Sequence, residues 1–147
     1  MATTILWDAE LGSPTSYLST ALDSLANDGI KFGAEFTTSQ KKRIAIELSI
    51  AAQGSARSSG AHVQVYIVPS IDGGTTYAYG SDSLAPSMNH LKGAFQLDAA
   101  TSARVDIVEG VELGAGRYKI AVVNKTGQAF ASSGNTVRYG LYTDEVQ

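Results

Sequence analysis

The chain has 147 residues, of which 44% are apolar and 17% charged, with a net charge of −3 and no cysteine. That is enough for one domain with an adequate core, and it excludes a wholly disordered chain or a bundle of membrane-spanning helices. The missing cysteines exclude a disulfide framework, a thiolate zinc site and a thiol nucleophile, and the acidic balance argues against nucleic acid as the main partner.

In chain order, residues 1–14 carry Ile5, Leu6 and Trp7 as one short apolar run, and read as an N-terminal arm or a first strand. Met1–Thr4 has no basic stretch and no apolar run behind it, so no secretion signal is read. Leu18, Leu22 and Leu25 follow at i, i+4 and i+7 within Tyr17–Asn27. They mark a short helix, capped by Ser16 and ended by Asp28-Gly29. Ser19, Thr20 and Ser24 favour a helix little, and a strand of small residues fits the same stretch. Lys41, Lys42 and Arg43 are a charged lead-in to a strand.

From there the pattern has period two, as half-buried strands require. Ile44, Ile46, Leu48 and Ile50 share one face, with Arg43, Ala45, Glu47 and Ser49 on the other. Val63, Val65 and Ile67 are opposed by His62, Gln64 and Tyr66. Pro69–Gly93 has no clear element, and loops of that length in compact domains tend to carry function. Its Tyr77 and Tyr79, with Pro86 and Met88, suit a partly apolar contact surface; the alternative is a loop folded over the sandwich with its tyrosines packed locally.

Val105 and Ile107, then Tyr118, Ile120 and Val122, then Val137, Tyr139 and Leu141 continue the apolar alternation. Asp72-Gly73-Gly74 supplies positive-φ turn positions, and Lys125-Thr126-Gly127 reads as a tight connection between two strands. Gly114-Ala115-Gly116 and Ser133-Gly134-Asn135 each lead into a strand. The stretch from Phe95 to Tyr142 therefore reads as a run of antiparallel strands, and residues 15–147 as one all-β domain, a sandwich or barrel.

Catalytic chemistry finds little footing. No G-x-S-x-G elbow accompanies the many serines, and His62 and His90 are the only imidazoles. His62 heads a strand and reads as a surface or contact residue; His90 lies in the long loop with no acid at a suggestive spacing. Asp72, Asp82, Asp98, Asp106, Glu109 and Glu112 show neither EF-hand nor paired-histidine spacing, so solvated turn aspartates are expected and no metal or cofactor is assigned. Asp106 and Glu109 do not stand out as a glycosidase pair from an exposed strand face. No phosphate-cradling G-x-x-x-x-G-K-[ST] occurs, and Asn124-Lys125-Thr126 matches a glycosylation sequon only formally.

Two local patterns carry a resemblance. One is Val65-Tyr66-Ile67-Val68-Pro69-Ser70 with Asp72-Gly73 and Tyr77. The other runs from Leu113 and Gly116–Lys119 through Val123-Asn124-Lys125-Thr126-Gly127 to Ala131-Ser132-Ser133-Gly134-Asn135-Thr136-Val137. Over roughly residues 61–142 the chain resembles structural proteins of tailed-bacteriophage virions, closest to the capsid decoration, or cement, proteins. Gly114-Ala115-Gly116 departs from the proline-rich approach expected there.

The resemblance implies a jelly-roll-like antiparallel β-sandwich, made in the host cytoplasm and seated as a homo-trimer on the outer surface of the capsid. It would bridge subunits of the major capsid protein, with no nucleic acid or membrane partner, no catalytic residue and no cofactor. Ile5, Leu6 and Trp7 are then candidate anchors, since aromatic residues dominate interface hot spots. Deleting Met1–Gly12 is expected to leave the domain folded and weaken capsid attachment. The alternative is a tail or baseplate module that binds a host receptor or glycan through the loop at 69–93, with Tyr77 and Tyr79 stacking on sugar.

Overall fold

Ile44, Ile46, Leu48 and Ile50 are all essentially inaccessible to solvent, and the residues between them are half-buried. This strict alternation belongs to a strand with a core on one side. In the computed structural model, which describes residues 14–38 and 43–143, that strand is β4 (Arg43–Ile50). The others are β1 (Thr15–Leu18), β2 (Ile30–Phe32), β3 (Phe36–Thr38), β5 (His62–Ser70), β6 (Leu91–Gln96), β7 (Arg104–Glu112), β8 (Gly116–Lys125) and β9 (Thr136–Tyr142).

One sheet has the order β1-β9-β4-β7; the other runs β2-β8-β5-β6, with β3 also on β8. All pairings are antiparallel. β2 lies opposite residues 121–123 and β3 opposite 116–118, so the two share one strand position. With that position counted once, the order is that of a jelly roll, two interleaved Greek keys. The predicted all-β sandwich is thus the observed architecture. From β6 onward, successive strands alternate between sheets, so the antiparallel run read from Phe95 to Tyr142 pairs across the fold rather than with its neighbours in sequence.

Tyr17 explains the break between β2 and β3. Its hydroxyl crosses from one sheet to the other, donates to the Ala34 carbonyl and accepts from the Ile120 N–H. It thereby serves the β8 amide that the interrupted strand leaves unpaired. Loss of water drives this hydroxyl's pKa well above the ordinary tyrosine value. Gly33 is required beside it, because a Cβ there would fall 2.0 Å from the ring.

Inside, the main core gathers the inward faces of both sheets, closed at one end by Tyr17, Phe36, Tyr118 and Tyr139. A second cluster forms on the outer face of the β5–β8 pair, where Tyr66, Val68, Ala121 and Val123 lie beneath Tyr77 and Ala78. Tyr66 points away from the main core, as its alternation predicts, and is buried nonetheless because the long loop covers it.

Three local expectations are corrected. No helix forms over Tyr17–Asn27: Leu18 ends β1, Leu22 sits in a 3-10 turn (Thr20–Leu22), and Ser24 and Asp28 adopt left-handed φ values of 59° and 62° that a helix does not contain. The leucine spacing arises because all three side chains drop into one core from an irregular path. Val105 and Ile107 face solvent, 62% and 53% exposed. A register shift opposite Ile44–Ile46 leaves Val108 and Val111 as the inward residues of β7. Finally, Lys125-Thr126-Gly127 does not join adjacent strands; it ends β8 and opens the connection to β9.

Candidate functional site

The connection between β5 and β6 is the longest irregular excursion among the described residues. It begins with a turn that supplies its own ligands: Asp72 Oδ1 accepts from the Ser70 hydroxyl at 2.7 Å and from the Thr76 N–H at 2.8 Å. Gly73 and Gly74 provide the left-handed φ values the turn needs, 74° and 94°. These hydrogen bonds, Thr76 first, hold the Asp72 carboxyl down at about 2.

Tyr77 then packs inward. Its hydroxyl donates to Glu35, which also pairs with Arg117, and the Lys119 ammonium lies 4.1 Å from its ring centroid. Loss of water, and next the bond to Glu35, push the phenol up to about 12. Asp82 ties the loop's far side to β2, accepting from the Phe32 N–H at 2.8 Å and pairing with Lys31.

What the loop presents outward is apolar. Ile71, Tyr79 and Met88 are 101%, 70% and 63% exposed, and Leu84 is also exposed. Below this crest lies an open depression of about 470 Å³ lined by Pro69, Ile71, Asp72, Thr76, Tyr77 and Ala78. The two tyrosines singled out in the sequence therefore part company: Tyr77 is committed to the fold, and Tyr79 is available. Ile71 went unnoticed because a lone apolar residue inside a turn has no periodic partner to mark it. The candidate anchors Ile5, Leu6 and Trp7 lie outside the described residues.

His62 places Nδ1 3.0 Å from the Gly60 carbonyl, and His90 ends a 3-10 turn (Met88–His90). Among the described residues no group of three or more His, Asp or Glu side chains is arranged to hold a metal ion. The sequon asparagine, Asn124, is fully buried with its amide occupied by the carbonyls of Leu25, Ala26 and Gln128. Its role in the folded domain is structural.

Asp72, Asp82, Asp98 and Glu35 all titrate below their ordinary values in the folded state. Each adds stability above its unfolded pKa, and that contribution fades as the pH falls through the lower folded value. For Asp72 the window runs from 3.8 down to about 2. Asp72→Asn is expected to flatten the loss of stability in that window, measured by denaturant melts at stepped pH. Parallel profiles for parent and variant would reject the assignment.

No protein-family model and no curated protein matches the chain. Among solved structures it is similar to the CBM36-1 domain of a multidomain xylanase from the hindgut metagenome of Trinervitermes trinervoides. That match has 17% identity and a TM-score of 0.46, covering 93% of this chain and 95% of that one. It is also similar to Xyl-CBM35, solved in complex with a glucuronic acid containing disaccharide, at 14% identity and a TM-score of 0.44 over 97% and 95% of the two chains. Both scores lie below one half, so the jelly-roll assignment rests on the strand order itself.

Proposed function

We propose that this chain is a non-catalytic virion protein that decorates a tailed-phage capsid, seated as a homo-trimer on the outer surface and bridging major capsid protein subunits. The observation that carries the contact is the crest: Ile71, Tyr79 and Met88 stand in solvent on a loop fastened to the sheet beneath it. A pinned loop loses little conformational freedom when it docks, so its apolar side chains contribute more of their burial to binding. The resemblance at residues 65–77 and 113–137 supplies the setting, and contacts repeated over a symmetric lattice add as avidity.

Imaging of purified particles tests this directly. Decoration predicts density on the head; density at the tail tip overturns it in favour of the glycan reading, for which Tyr79 supplies an uncommitted ring. A triple variant, Ile71→Ser, Tyr79→Ala and Met88→Ser, alters exposed positions, and the Tyr66 hydroxyl that loses the Met88 sulfur keeps Gln64. At about 1 kcal/mol lost per apolar side chain no longer buried on docking, each subunit's hold is expected to weaken about a hundredfold. Undiminished head occupancy by a folded triple variant would move the contact off the crest.

A further inference from the structure

Among the described residues the two sheets end in edges at β1, at β2 with β3, at β6 and at β7. Short strands, edge lysines and bulges each keep an edge from pairing with another chain. β1 is four residues long, and β2 and β3 are three each. β6 carries an exposed Lys92 and a register shift opposite Val65–Tyr66. β7 is nine residues long and sets Val105 and Ile107 in solvent beside its outer edge. Its register shift lies toward the C-terminal end, which leaves residues 104–108 as a regular stretch with no strand on that side among the described residues.

Asp106 is the middle of that stretch. It lies opposite Leu48 on β4, and directly opposite residues share a face, so its side chain starts on the core side of the sheet. Leu48 is buried and Asp106 is exposed. The carboxylate therefore bends out around the edge of the strand, where Oδ1 accepts from the Ile107 N–H at 2.8 Å. That amide faces away from β4, because paired strands lie about 4.8 Å apart and leave no room for a carboxylate between them. Asp106 thus occupies a donor that an incoming strand would need.

We propose that the β7 edge is a latent pairing surface for a second copy of this chain, and that Asp106 keeps it closed. Backbone groups that face one edge recur at every second residue, so Val105 and Ile107 present theirs together. Two β7 edges paired antiparallel about Asp106 place Val105 of each copy against Ile107 of the other. The exposed apolar pairs of both copies then meet on one face. Charge is complementary too, since Arg104 near the start of the strand comes toward Glu109 of the second copy.

Asp106 is what opposes this arrangement. In that register it faces its own twin with the Cα atoms about 4.5 Å apart. Like charges directly opposite destabilise a strand pair. A single side chain so withholds an amide and repels the second copy. The inference goes beyond the capsid reading and does not rest on it, since the crest lies over the other sheet.

The chain has no cysteine, so a disulfide reports introduced residues alone. A Val105→Cys chain is mixed with an Ile107→Cys chain under mild oxidant. Residues facing each other in a hydrogen-bonded pair lie about 5.5 Å apart, within reach of a disulfide. With Asp106 in place the mixed dimer is expected to form only by random collision, at a rate gauged by a Tyr79→Cys chain. With Asp106→Val in both chains it is expected to form about tenfold faster or more, because pairing holds the thiols together. Asp106→Thr, which adds no large apolar group, is expected to act in the same direction and serves if the valine variant does not fold.

Sedimentation of the cysteine-free Asp106→Val chain is expected to show association that grows with concentration. Adding Ile107→Pro removes the edge amide at a position where proline is tolerated, and is expected to abolish it. Equal crosslinking rates with and without Asp106 would overturn the proposal, as would fast crosslinking in the presence of Asp106. Association that survives in a folded Ile107→Pro variant also overturns it, because apolar surface and not the strand edge would then be the cause. Particle occupancy is not a readout here, so this inference can fail while the capsid reading stands, and the reverse.

Discussion

Replacing Asn124 with alanine is expected to lower the stability of the domain by about 4 kcal/mol and its melting temperature by roughly 12 °C. The side chain is inaccessible to solvent and every polar atom on it is used. Nδ2 donates to the carbonyls of Leu25, Ala26 and Gln128 at 2.9, 3.1 and 2.8 Å. Oδ1 accepts from the Thr126 N–H at 3.0 Å and the Thr126 hydroxyl at 2.7 Å. One residue thus joins the end of β8, the start of the β8–β9 connection and the irregular stretch before β2.

Alanine leaves the Thr126 N–H without its acceptor, and an orphaned buried group costs about 1–3 kcal/mol. The carbonyls of Leu25, Ala26 and Gln128 lose a second donor but keep the Phe130 N–H, the Gly29 N–H and the Thr126 hydroxyl. Water entering the vacated space recovers part of this, which keeps the total below the simple sum and near the upper end for single substitutions. Asn124→Asp retains shape and acceptors but turns a carboxylate toward three carbonyls, so it is expected to be no milder at neutral pH. Urea melts of both variants measure the effect. A loss below about 1 kcal/mol in alanine would mean that water replaces the amide almost fully.

Asn124 also shows what the sequence could and could not reveal. The stretch that carries the resemblance reads as turn chemistry, and it does turn the chain. Its asparagines, however, act at long range: Asn135 bonds Asp23 and the Ala51 N–H, as Asn124 bonds Leu25 and Ala26. No local pattern announces such partners.

β4 was legible because one face meets core and the other does not. β5 and β8 were legible as strands, yet their double-sided burial was not, since the cover comes from a loop with no periodicity. On β7 the mark of the irregularity is Gly110, at a φ of 72° beside the register shift. Read past that glycine, the alternation put Val105 and Ile107 on the wrong side. Tyr77 and Tyr79 were legible as loop aromatics, but which one is committed depends on Glu35 and Lys119, remote in sequence.

Arg57 is the second place where a single side chain decides stability. Its guanidinium is buried at the end of the sandwich where the β4–β5, β6–β7 and β8–β9 connections meet. Nε donates to Gln53 Oε1 at 2.6 Å, Nη1 to Asp98 at 3.1 Å and Nη2 to the Ser102 carbonyl at 2.6 Å. Gln53 in turn donates to the Ala129 carbonyl at 2.8 Å.

Arg57→Ala is expected to cost about 3 kcal/mol, the low end for breaking a buried charged network. The low end applies because Asp98 is 45% exposed and keeps Arg104, so it rehydrates, whereas Gln53 is buried. It follows that Asp98→Ala costs much less than Arg57→Ala, since a half-exposed ion pair contributes little. Arg57→Lys falls between the two, because one ammonium cannot serve three acceptors set out for a planar fork.

Thermal melts rank the three variants. If Asp98→Ala were as damaging as Arg57→Ala, the ion pair and not the hydrogen bonds would carry the junction. The crest grows from the β5–β6 connection, at the opposite end of β5. Arg57→Ala is therefore expected to leave head occupancy unchanged at temperatures where the variant is folded, separating the groups that hold the domain together from those that hold it to a partner.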